Sequence, residues 1–320
     1  MGQVLVRTLA CGICGSDLHF VKHGSRLIEL ARESGLPAGV DLGRDVFMGH
    51  EFSAEVLEVG PETVALPAGT VVTSLPVMLS LEGISQLAYS NDLPAGYSER
   101  MLLSAPLLLA VPNGLDARHA ALTEPMAVGL HAVNRSQVDQ RESAIVLGCG
   151  PVGLAVIAAL RLKGIPTIVA SDFSPARREL ALTMGATVAV DAASDSVIER
   201  WREIDGRRPL VIFEAVGIPG MLDAAMRDAP IGGRVLVVGV CMEADLVQPA
   251  IGINKELTIQ FAFAYTPEEF AESLRALAEG TIDVAPMITG SVDIDGVPAA
   301  FAELAHPDVH CKILVEPSAP

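Results

Sequence analysis

Residue types that bind metal ions occur at spacings that could form one site. Cys11 and Cys14 form a C-x-x-C motif, His50 and Glu51 are adjacent, and Glu124 follows much later in the chain. Thiolate, imidazole and carboxylate groups are the ligands that zinc favours, and three protein ligands with one open position are typical of a catalytic zinc. A C-x-x-C motif could equally be a redox pair or two buried small residues. From the spacing alone, these alternatives stay open.

A glycine-rich segment further along the chain could bind a dinucleotide. Gly148, Gly150 and Gly153 form G-x-G-x-x-G between a predicted strand and a predicted helix, with Pro151 and Val152 inside the motif. The first glycine allows a tight turn, the second lets the backbone approach a pyrophosphate, and the third lets helix and strand pack closely. The free N–H groups of the helix N-terminus would then face the phosphates.

An acidic residue at the end of the second predicted strand strengthens this interpretation. Asp172 lies 19 residues after Gly153, where a carboxylate can accept both ribose hydroxyls of a dinucleotide and repel a 2′-phosphate. We therefore predict NAD as the cofactor. Two alternatives remain, because Asp172 could belong to the N-cap region of the next helix, and Arg177 and Arg178 could bind the phosphate of NADP.

The elements that must position these residues divide into two kinds. From residue 143 onward, short apolar runs alternate with helical patterns, which is typical of a parallel sheet covered on both faces. The predicted strands are 144–147, 167–170, 188–190, 210–213, 235–238 and 257–261, and the predicted helices are 152–163, 174–184, 219–228 and 267–279. The strand at 257–263 could be a sheet edge that joins subunits.

The first part of the chain has shorter strands and more glycine and proline, and its alternating segment 51–59 predicts a half-exposed antiparallel strand. The last strand, 312–315, is expected to return to this part. We therefore predict a catalytic domain made of residues 1–126 and 264–320, interrupted by a cofactor domain at 127–263. Segment 22–45 is interpreted as a long loop that shapes access of the substrate, with Phe20 and Phe47 as pocket walls or core.

Composition excludes several classes of protein. The net charge of −17 would repel the phosphate backbone of a nucleic acid. The sequence shows neither an apolar run long enough to span a bilayer nor a signal peptide. Five unevenly spaced cysteines favour a reducing compartment over a disulfide framework, so we expect a cytoplasmic protein.

Together these motifs resemble the zinc-containing medium-chain dehydrogenase/reductase family, and within it the sorbitol and threonine dehydrogenase-like members. The matching segments, in family order, are 12–19, 49–51, 124–125, 129–131, 148–153 and 312–315. The resemblance implies an α/β fold in which a doubly wound Rossmann domain accompanies a mostly β, GroES-like catalytic domain that is discontinuous in sequence. It also implies a homodimer or homotetramer.

The resemblance implies one catalytic zinc bound by Cys14 and His50. Glu51 or Glu124 would complete the zinc ligands directly or through water, and Cys11 would be a packed small residue. His50 and Glu51 are neighbours, and neighbouring strand residues point to opposite faces. Both can therefore face one ion only if the backbone is irregular there.

Further roles follow from the same resemblance. Asp17 would accept a hydrogen bond from the far nitrogen of His50 and so orient it. Ser16 and His19 would pass a proton outward, although Ser16 could instead cap a helix and His19 could be a surface residue. His131 is interpreted as a helix residue packed near the domain junction.

The implied activity is hydride transfer from a small secondary alcohol or polyol to NAD. The alternatives are a zinc-free quinone or enone reductase and a non-catalytic NAD-binding protein of the same fold. Two features depart from the family. No cysteine lies between Cys14 and Cys149, so a second, structural zinc is not expected. The family also begins about one small hairpin before the position of Met1.

Overall fold

The computed structural model describes residues 2–36, 39–81, 83–306 and 308–317. Within these ranges, two large β-sheets and one small hairpin are accompanied by helices. The strands are β1 (Gln3–Gly12), β2 (Glu51–Val59), β3 (Val71–Ser74), β4 (Val77–Ser80), β5 (Gly83–Gln86), β6 (Arg100–Ser104), β7 (Leu108–Ala110), β8 (Ser143–Leu147), β9 (Thr167–Asp172), β10 (Val188–Asp191), β11 (Leu210–Glu214), β12 (Arg234–Val237), β13 (Thr258–Phe261), β14 (Ile288–Val292) and β15 (Lys312–Val315). The α-helices are α1 (Gly15–Glu33), α2 (Ala117–Ala121), α3 (Thr123–Ser136), α4 (Pro151–Leu162), α5 (Pro175–Thr183), α6 (Val197–Asp205), α7 (Met221–Asp228), α8 (Pro249–Lys255), α9 (Pro267–Ala278) and α10 (Val297–Leu304).

The second large sheet is entirely parallel. Its strand order is β10-β9-β8-β11-β12-β13, so the order reverses direction between β8 and β11. All five residues of β8 and all five of β11 are buried, as expected for strands covered by helices on both faces. A crevice at the carboxyl ends of β8 and β11 is where such sheets bind ligands.

All six parallel strands predicted from the sequence are present, with ends that differ by at most two residues. The predicted helices correspond to α4, α5, α7 and α9. The sequence analysis missed α6 and α8. Helix α8 has seven residues, none of them buried, so it lacks the apolar stripe on which the prediction depended.

The other large sheet contains the first and the last strands of the chain. Its order is β14-β15-β1-β2-β3-β7, and β6 also pairs with β1. Strand β15 pairs antiparallel with β1 through Cys11–Val315 and Gly12–Leu314. The prediction that the last strand returns to the first part of the chain is therefore confirmed.

The prediction that segment 51–59 is half-exposed is wrong for its first four residues. Glu51, Phe52, Ser53 and Ala54 are all buried. Strand β2 lies between β1 and β3 at the centre of its sheet, and α2 and α3 pack near it. Alternation therefore gives way to burial on both faces where β2 begins.

The prediction that segment 22–45 is a long loop is also wrong in its first half. Helix α1 continues to Glu33, with a kink at His23, whose φ and ψ are −134° and 27°. Its polar residues face solvent, which hides the helical pattern from a search for apolar periodicity. The remainder, residues 34–36 and 39–45, has no helix or strand, and residues 37 and 38 lie outside the described ranges.

One hydrophobic cluster joins the two sheets. Leu122, Met126 and Leu130 of the α2–α3 region pack with Val146 of the parallel sheet and Leu314 of β15. A shared core of this kind fixes the N-terminal motifs relative to the glycine-rich turn. Among the residues described, no helix is both long and apolar enough to cross a membrane.

Candidate active site

The N-terminus of α1 positions Cys14. Strand β1 ends at Gly12, and Ile13 N–H donates to Ile313 O at 3.0 Å, which ties the turn to β15. Cys14 is the N-cap, and Asp17 in the first turn accepts the Cys14 N–H at 2.9 Å. The N-terminus of a helix carries a partial positive charge, which is favourable beside negatively charged groups.

Two residues from the start of β2 meet Cys14. Gly49 has φ +97°, a left-handed conformation that turns the chain just before the strand. One ligand atom each from Cys14, His50 and Glu51 lie within 4.8 Å of one another. Sulfur, nitrogen and oxygen donors in this arrangement fit a catalytic zinc with one position left open. The irregular backbone that the sequence analysis required at this point is present at Gly49.

A lysine that the sequence analysis did not assign to the site neutralises Glu51. Lys312 Nζ lies 2.8 Å and 2.7 Å from the two oxygens of Glu51 and donates to Ile13 O at 2.9 Å. Both side chains are only 1% exposed. Burial acts to lower the pKa of Lys312, but the charge of Glu51 and its hydrogen bonds raise this pKa above its usual value. Glu51 is therefore paired with a buried cation.

Glycine is required beside this ion pair. A Cβ atom on Gly12 would lie 2.0 Å from Glu51 Oε2. Any side chain at this position would displace the carboxylate from Cys14 and His50.

Glu124 lies in the first turn of α3 and is buried. Its carboxylate is not among the three groups within 4.8 Å of one another in the described residues. Burial is the main cause that raises the pKa of Glu124, to about 7, while the positive charge of His50 and a hydrogen bond from Tyr265 act in the opposite direction. Glu124 is thus close enough to His50 to interact electrostatically.

The hydrogen bond predicted between His50 and Asp17 is not formed. His50 Nδ1 lies 3.7 Å from Asp17 Oδ1, and this buried nitrogen has no hydrogen-bond partner among the described residues. Asp17 instead accepts the hydroxyls of Tyr89 at 2.9 Å and Tyr97 at 2.7 Å, besides the Cys14 N–H. Burial acts to lower the pKa of His50, but contact with Cys14 and the nearby carboxylates raise it well above its usual value.

Ser16 and His19 lie on the first two turns of α1. The half-buried Ser16 hydroxyl is 2.9 Å from the Tyr89 hydroxyl, and Ser16 does not cap the helix because Cys14 occupies the N-cap position. His19 is exposed, with its ring centroid 6.4 Å from that of His23. Partial burial, followed by the positive charges of His23 and Lys22, lowers the pKa of His19.

Three other residues that the sequence analysis singled out have packing roles. Cys11 is fully buried, and a Cβ atom on Gly96 would lie 2.4 Å from its sulfur. Burial raises the pKa of the Cys11 thiol well above its usual value, which suits a packed residue. Phe20 is buried and stacks on Tyr89, with ring centroids 4.6 Å apart, and Phe47 packs in the core of the antiparallel sheet.

The glycine-rich turn follows β8 and leads into α4. Gly148 has φ +89°, and a Cβ atom on Gly153 would lie 1.9 Å from Gly148 O. Gly150 is the N-cap of α4, before Pro151 and Val152, and the nearest atom to a Cβ there is Arg177 Nη1 at 3.9 Å. Packing within the protein therefore requires the first and third glycines, whereas the space at Gly150 is open to a ligand.

Asp172 is bound to the backbone of two turns. Its oxygens accept the N–H groups of Cys149 at 2.7 Å and Ser174 at 2.8 Å. Arg178 is engaged by two backbone carbonyls and by Asp191 at 3.0 Å. In the part of the chain that the structure describes, the buried Nε of Arg177 has no hydrogen-bond partner.

His131 lies in α3, where its Nδ1 is 2.8 Å from Glu269 of α9. It therefore links two helices, as expected for a packed helix residue.

The sequence analysis missed Tyr89, Tyr97 and Tyr265 as site residues. Tyr89 and Tyr97 reach Asp17 over 72 and 80 residues, and no local pattern reports such a contact.

Comparisons with known proteins agree with this geometry. Residues 1–113 match the alcohol dehydrogenase GroES-like domain, and residues 151–279 match the zinc-binding dehydrogenase family. The (R,R)-butanediol dehydrogenase of Bacillus subtilis is 32% identical over 328 residues, covering 99% of this chain and 93% of that protein. The sorbitol dehydrogenase of the same organism is 27% identical over 332 residues, covering 99% and 90%.

The crystal structure of 2R,3R-butanediol dehydrogenase from Bacillus subtilis has the same fold. It matches with a TM-score of 0.85 at 31% identity, over 99% of this chain and 93% of that one. The predicted fold class, a GroES-like domain with a Rossmann-like α/β domain, is confirmed. The chain belongs to the zinc-containing medium-chain dehydrogenase/reductase family.

Proposed function

We propose that this protein is a zinc-dependent dehydrogenase that oxidises a small secondary alcohol or polyol with NAD. The observation that carries the proposal is the convergence of Cys14, His50 and Glu51, whose ligand atoms lie within 4.8 Å of one another. A zinc-free reductase or a non-catalytic binding protein of the same fold has no need of this set.

Cys14 and His50 would be the constant ligands of a single zinc. Glu51 would bind it directly or through water, and Glu124 would approach it from α3. Zinc held by these residues would supply Lewis-acid chemistry that makes the hydroxyl of an alcohol substrate more acidic. We propose no second zinc, because the chain has no cysteine between Cys14 and Cys149.

The protein's own groups would orient the alcohol and move its proton. Asp17 holds the backbone of Cys14, which fixes the ligand at the start of α1. Ser16 lies two residues after that ligand, where its oxygen would accept a hydrogen bond from the substrate hydroxyl. His19, exposed one helical turn later, would release the proton to solvent.

NAD would bind across the crevice between the sheets. Its pyrophosphate would contact the turn at Gly148, Gly150 and Gly153, and Arg177 is the side chain placed to bind a phosphate oxygen there. Asp172 favours NAD over NADP, because its carboxylate would repel a 2′-phosphate. Comparing KM for the two cofactors tests this preference, and a lower KM for NADP would refute the role of Asp172.

The substrate class follows from the relatives. A butanediol dehydrogenase and a sorbitol dehydrogenase both match over 99% of the chain. Both names denote substrates with hydroxyls on neighbouring carbons, so we propose a vicinal diol or polyol.

Residues 1–126 and 264–320 would form the zinc-binding half and residues 127–263 the cofactor half.

A panel of alcohols tests the proposal. NADH formation would be measured with vicinal diols, polyols and simple secondary alcohols, and zinc content on the same sample. We expect about one zinc per chain and turnover that removal of zinc abolishes. Turnover unaffected by complete removal of zinc would favour the zinc-free reductase, and a zinc-loaded protein inactive on every alcohol would favour the binding protein.

A further inference from the structure

The hydroxyl of Tyr89 connects the two side chains that follow Cys14 on α1. It lies 2.9 Å from Ser16 Oγ and 2.9 Å from Asp17 Oδ1. Tyr89 comes from the segment after the β4–β5 hairpin, 73 and 72 residues away. No motif in the sequence marks this residue, and the proposed function gives it no role.

The backbone of Tyr89 is held in an unfavourable conformation. Its φ is +58°, which is uncommon for a residue with a bulky side chain. Tyr89 N–H donates to Phe47 O at 2.9 Å, and Phe47 N–H donates to Ser90 O at 2.7 Å. The ring also stacks on Phe20, with centroids 4.6 Å apart. The backbone and the ring therefore fix where the hydroxyl points.

The hydrogen bonds of Asp17 determine which group is the donor and which is the acceptor in this network. Asp17 Oδ2 accepts the Cys14 N–H at 2.9 Å and the Tyr97 hydroxyl at 2.7 Å. A carboxylate only accepts hydrogen bonds, so Tyr89 donates its single proton to Asp17 Oδ1. The oxygen of Tyr89 then accepts the hydroxyl proton of Ser16. With its hydrogen directed at Tyr89, Ser16 keeps lone pairs for another donor.

We propose that Tyr89 is a positioning residue that sets Ser16 as a hydrogen-bond acceptor for the substrate hydroxyl. This inference rests on the proposed function, because it concerns the alcohol that would lie beside Ser16. A ketone or enone offers no hydroxyl proton to such an acceptor, so the arrangement is complementary to the alcohol side of the reaction.

Tyr97 provides the matched comparison. It donates to the same carboxylate as Tyr89, but no hydrogen bond joins its hydroxyl to Ser16 in the described residues. Y97F therefore measures the effect on kcat of removing one hydrogen bond to Asp17 while the Tyr89–Ser16 hydrogen bond is kept. Y89F loosens Asp17 in the same way and also releases Ser16, while its ring can still stack on Phe20.

Four zinc-loaded variants, Y89F, Y97F, S16A and the double variant S16A/Y89F, test the assignment by steady-state oxidation of the best alcohol. We expect Y89F to lower kcat roughly tenfold and Y97F only about two- to threefold, with zinc content and KM for NAD unchanged. In the S16A background, Y89F should change kcat by less than about threefold, because its partner is already missing.

Two results would overturn the assignment in an active enzyme. One is equal kcat for Y89F and Y97F, which would make Tyr89 a support of Asp17 only. The other is a further fall of about tenfold when Y89F is added to S16A, since independent effects multiply. A wild-type protein that oxidises no alcohol would instead reject the proposed function, and this inference with it.

Discussion

At the scale of single residues, the charge on Glu51 is balanced by Lys312. Two oppositely charged groups that are each 1% exposed stabilise each other, but removing one leaves the other buried and uncompensated. A zinc ion bound by Cys14 and His50 would place a second positive charge near the same carboxylate. We therefore propose that Glu51 couples metal binding to folding.

Replacing Lys312 by Met tests this coupling. We expect K312M to destabilise the metal-free protein by about 3–5 kcal/mol, because Glu51 loses its cation. Zinc should then raise the Tm of K312M more than it raises that of the wild type, since the ion replaces the missing charge. The double variant E51Q/K312M is the control, and it should recover much of the lost stability. An equal zinc-dependent rise in Tm for K312M and the wild type would contradict the coupling.

Glu124 provides a test by pH. Burial raises its pKa from 4.5 to about 7 in the folded, metal-free protein. Between these values the folded state binds the proton more tightly than the unfolded state, so stability is lost as the pH rises from about 4.5 to 7. E124Q removes this contribution, which is on the order of 3 kcal/mol.

The measurement is the difference in unfolding free energy between metal-free wild type and E124Q across this pH range. We expect the wild type to lose stability relative to E124Q as the pH increases. A difference that does not change with pH would show that Glu124 titrates as an exposed carboxylate does.

Single residues were predictable where a motif carries the chemistry. Cys14, His50 and Glu51 stand in short, ordered motifs, so their types and neighbours pointed to a metal. Lys312 was visible as a charged residue heading an apolar strand, yet its partner lies 261 residues away. Tyr89 could not be predicted as a site residue, because a single tyrosine before a polar segment belongs to no recognisable motif.

At the scale of elements, the turn between β8 and α4 contains one glycine that packs closely within the protein and another that faces open space. The three glycines of this turn face different surroundings. A Cβ on Gly153 would meet a backbone oxygen at 1.9 Å, whereas a Cβ on Gly150 would meet only the end of the Arg177 side chain at 3.9 Å. Packing therefore requires Gly153, and we propose that the ligand requires Gly150.

Two alanine variants distinguish these requirements. G153A should destabilise the protein by about 1–3 kcal/mol, because the helix must move away from the turn. G150A should keep the wild-type Tm but weaken NAD binding at least roughly tenfold, since the methyl group occupies the approach to the pyrophosphate. Calorimetry of unfolding and of NAD binding checks both. Full NAD affinity in G150A would mean that the cofactor does not use this turn.

Elements were predictable where their pattern is local. Each strand of the parallel sheet is a continuous apolar run, and each was found from that run. Helix α1 beyond residue 22 was not, since it buries only one residue, Gly24, in that stretch. The alternating pattern of β2 did not predict that its first residues are buried, because that burial depends on packing against α2 and α3.

At the scale of the whole molecule, the strand β13 ends the parallel sheet and leaves one edge unpaired within the described residues. Phe261 is 61% exposed and Phe263 is 75% exposed beside this edge. An exposed sheet edge with large apolar side chains invites pairing with another copy of the chain. This edge is the candidate surface for the homodimer or homotetramer that the family resemblance implies.

Replacing Phe261 by Asp tests that prediction. Light scattering should give a mass of at least two chains for the wild type and a smaller mass for F261D, because a charge would be buried in the interface. L246D, which alters another exposed apolar residue, is the control and should keep the wild-type mass. A wild type with the mass of one chain would contradict the proposed oligomer.

The two-domain plan was predictable because the change from alternating to continuous apolar strands occurs once along the chain. The shared core at α3, β15 and α9 was not predictable, since it is formed by segments far apart in sequence. This core includes Ala10 of β1 and Cys149 of the glycine-rich turn, so it connects the two regions on which the proposed activity depends.

Zinc content in two variants of the C-x-x-C motif tests the central claim most directly. We expect C14A to lose zinc and NADH formation together. C11A should keep about one zinc per chain and remain active, because Cys11 is a packed residue. Zinc retained in C14A, or lost equally in both variants, would contradict a site built on Cys14 and His50.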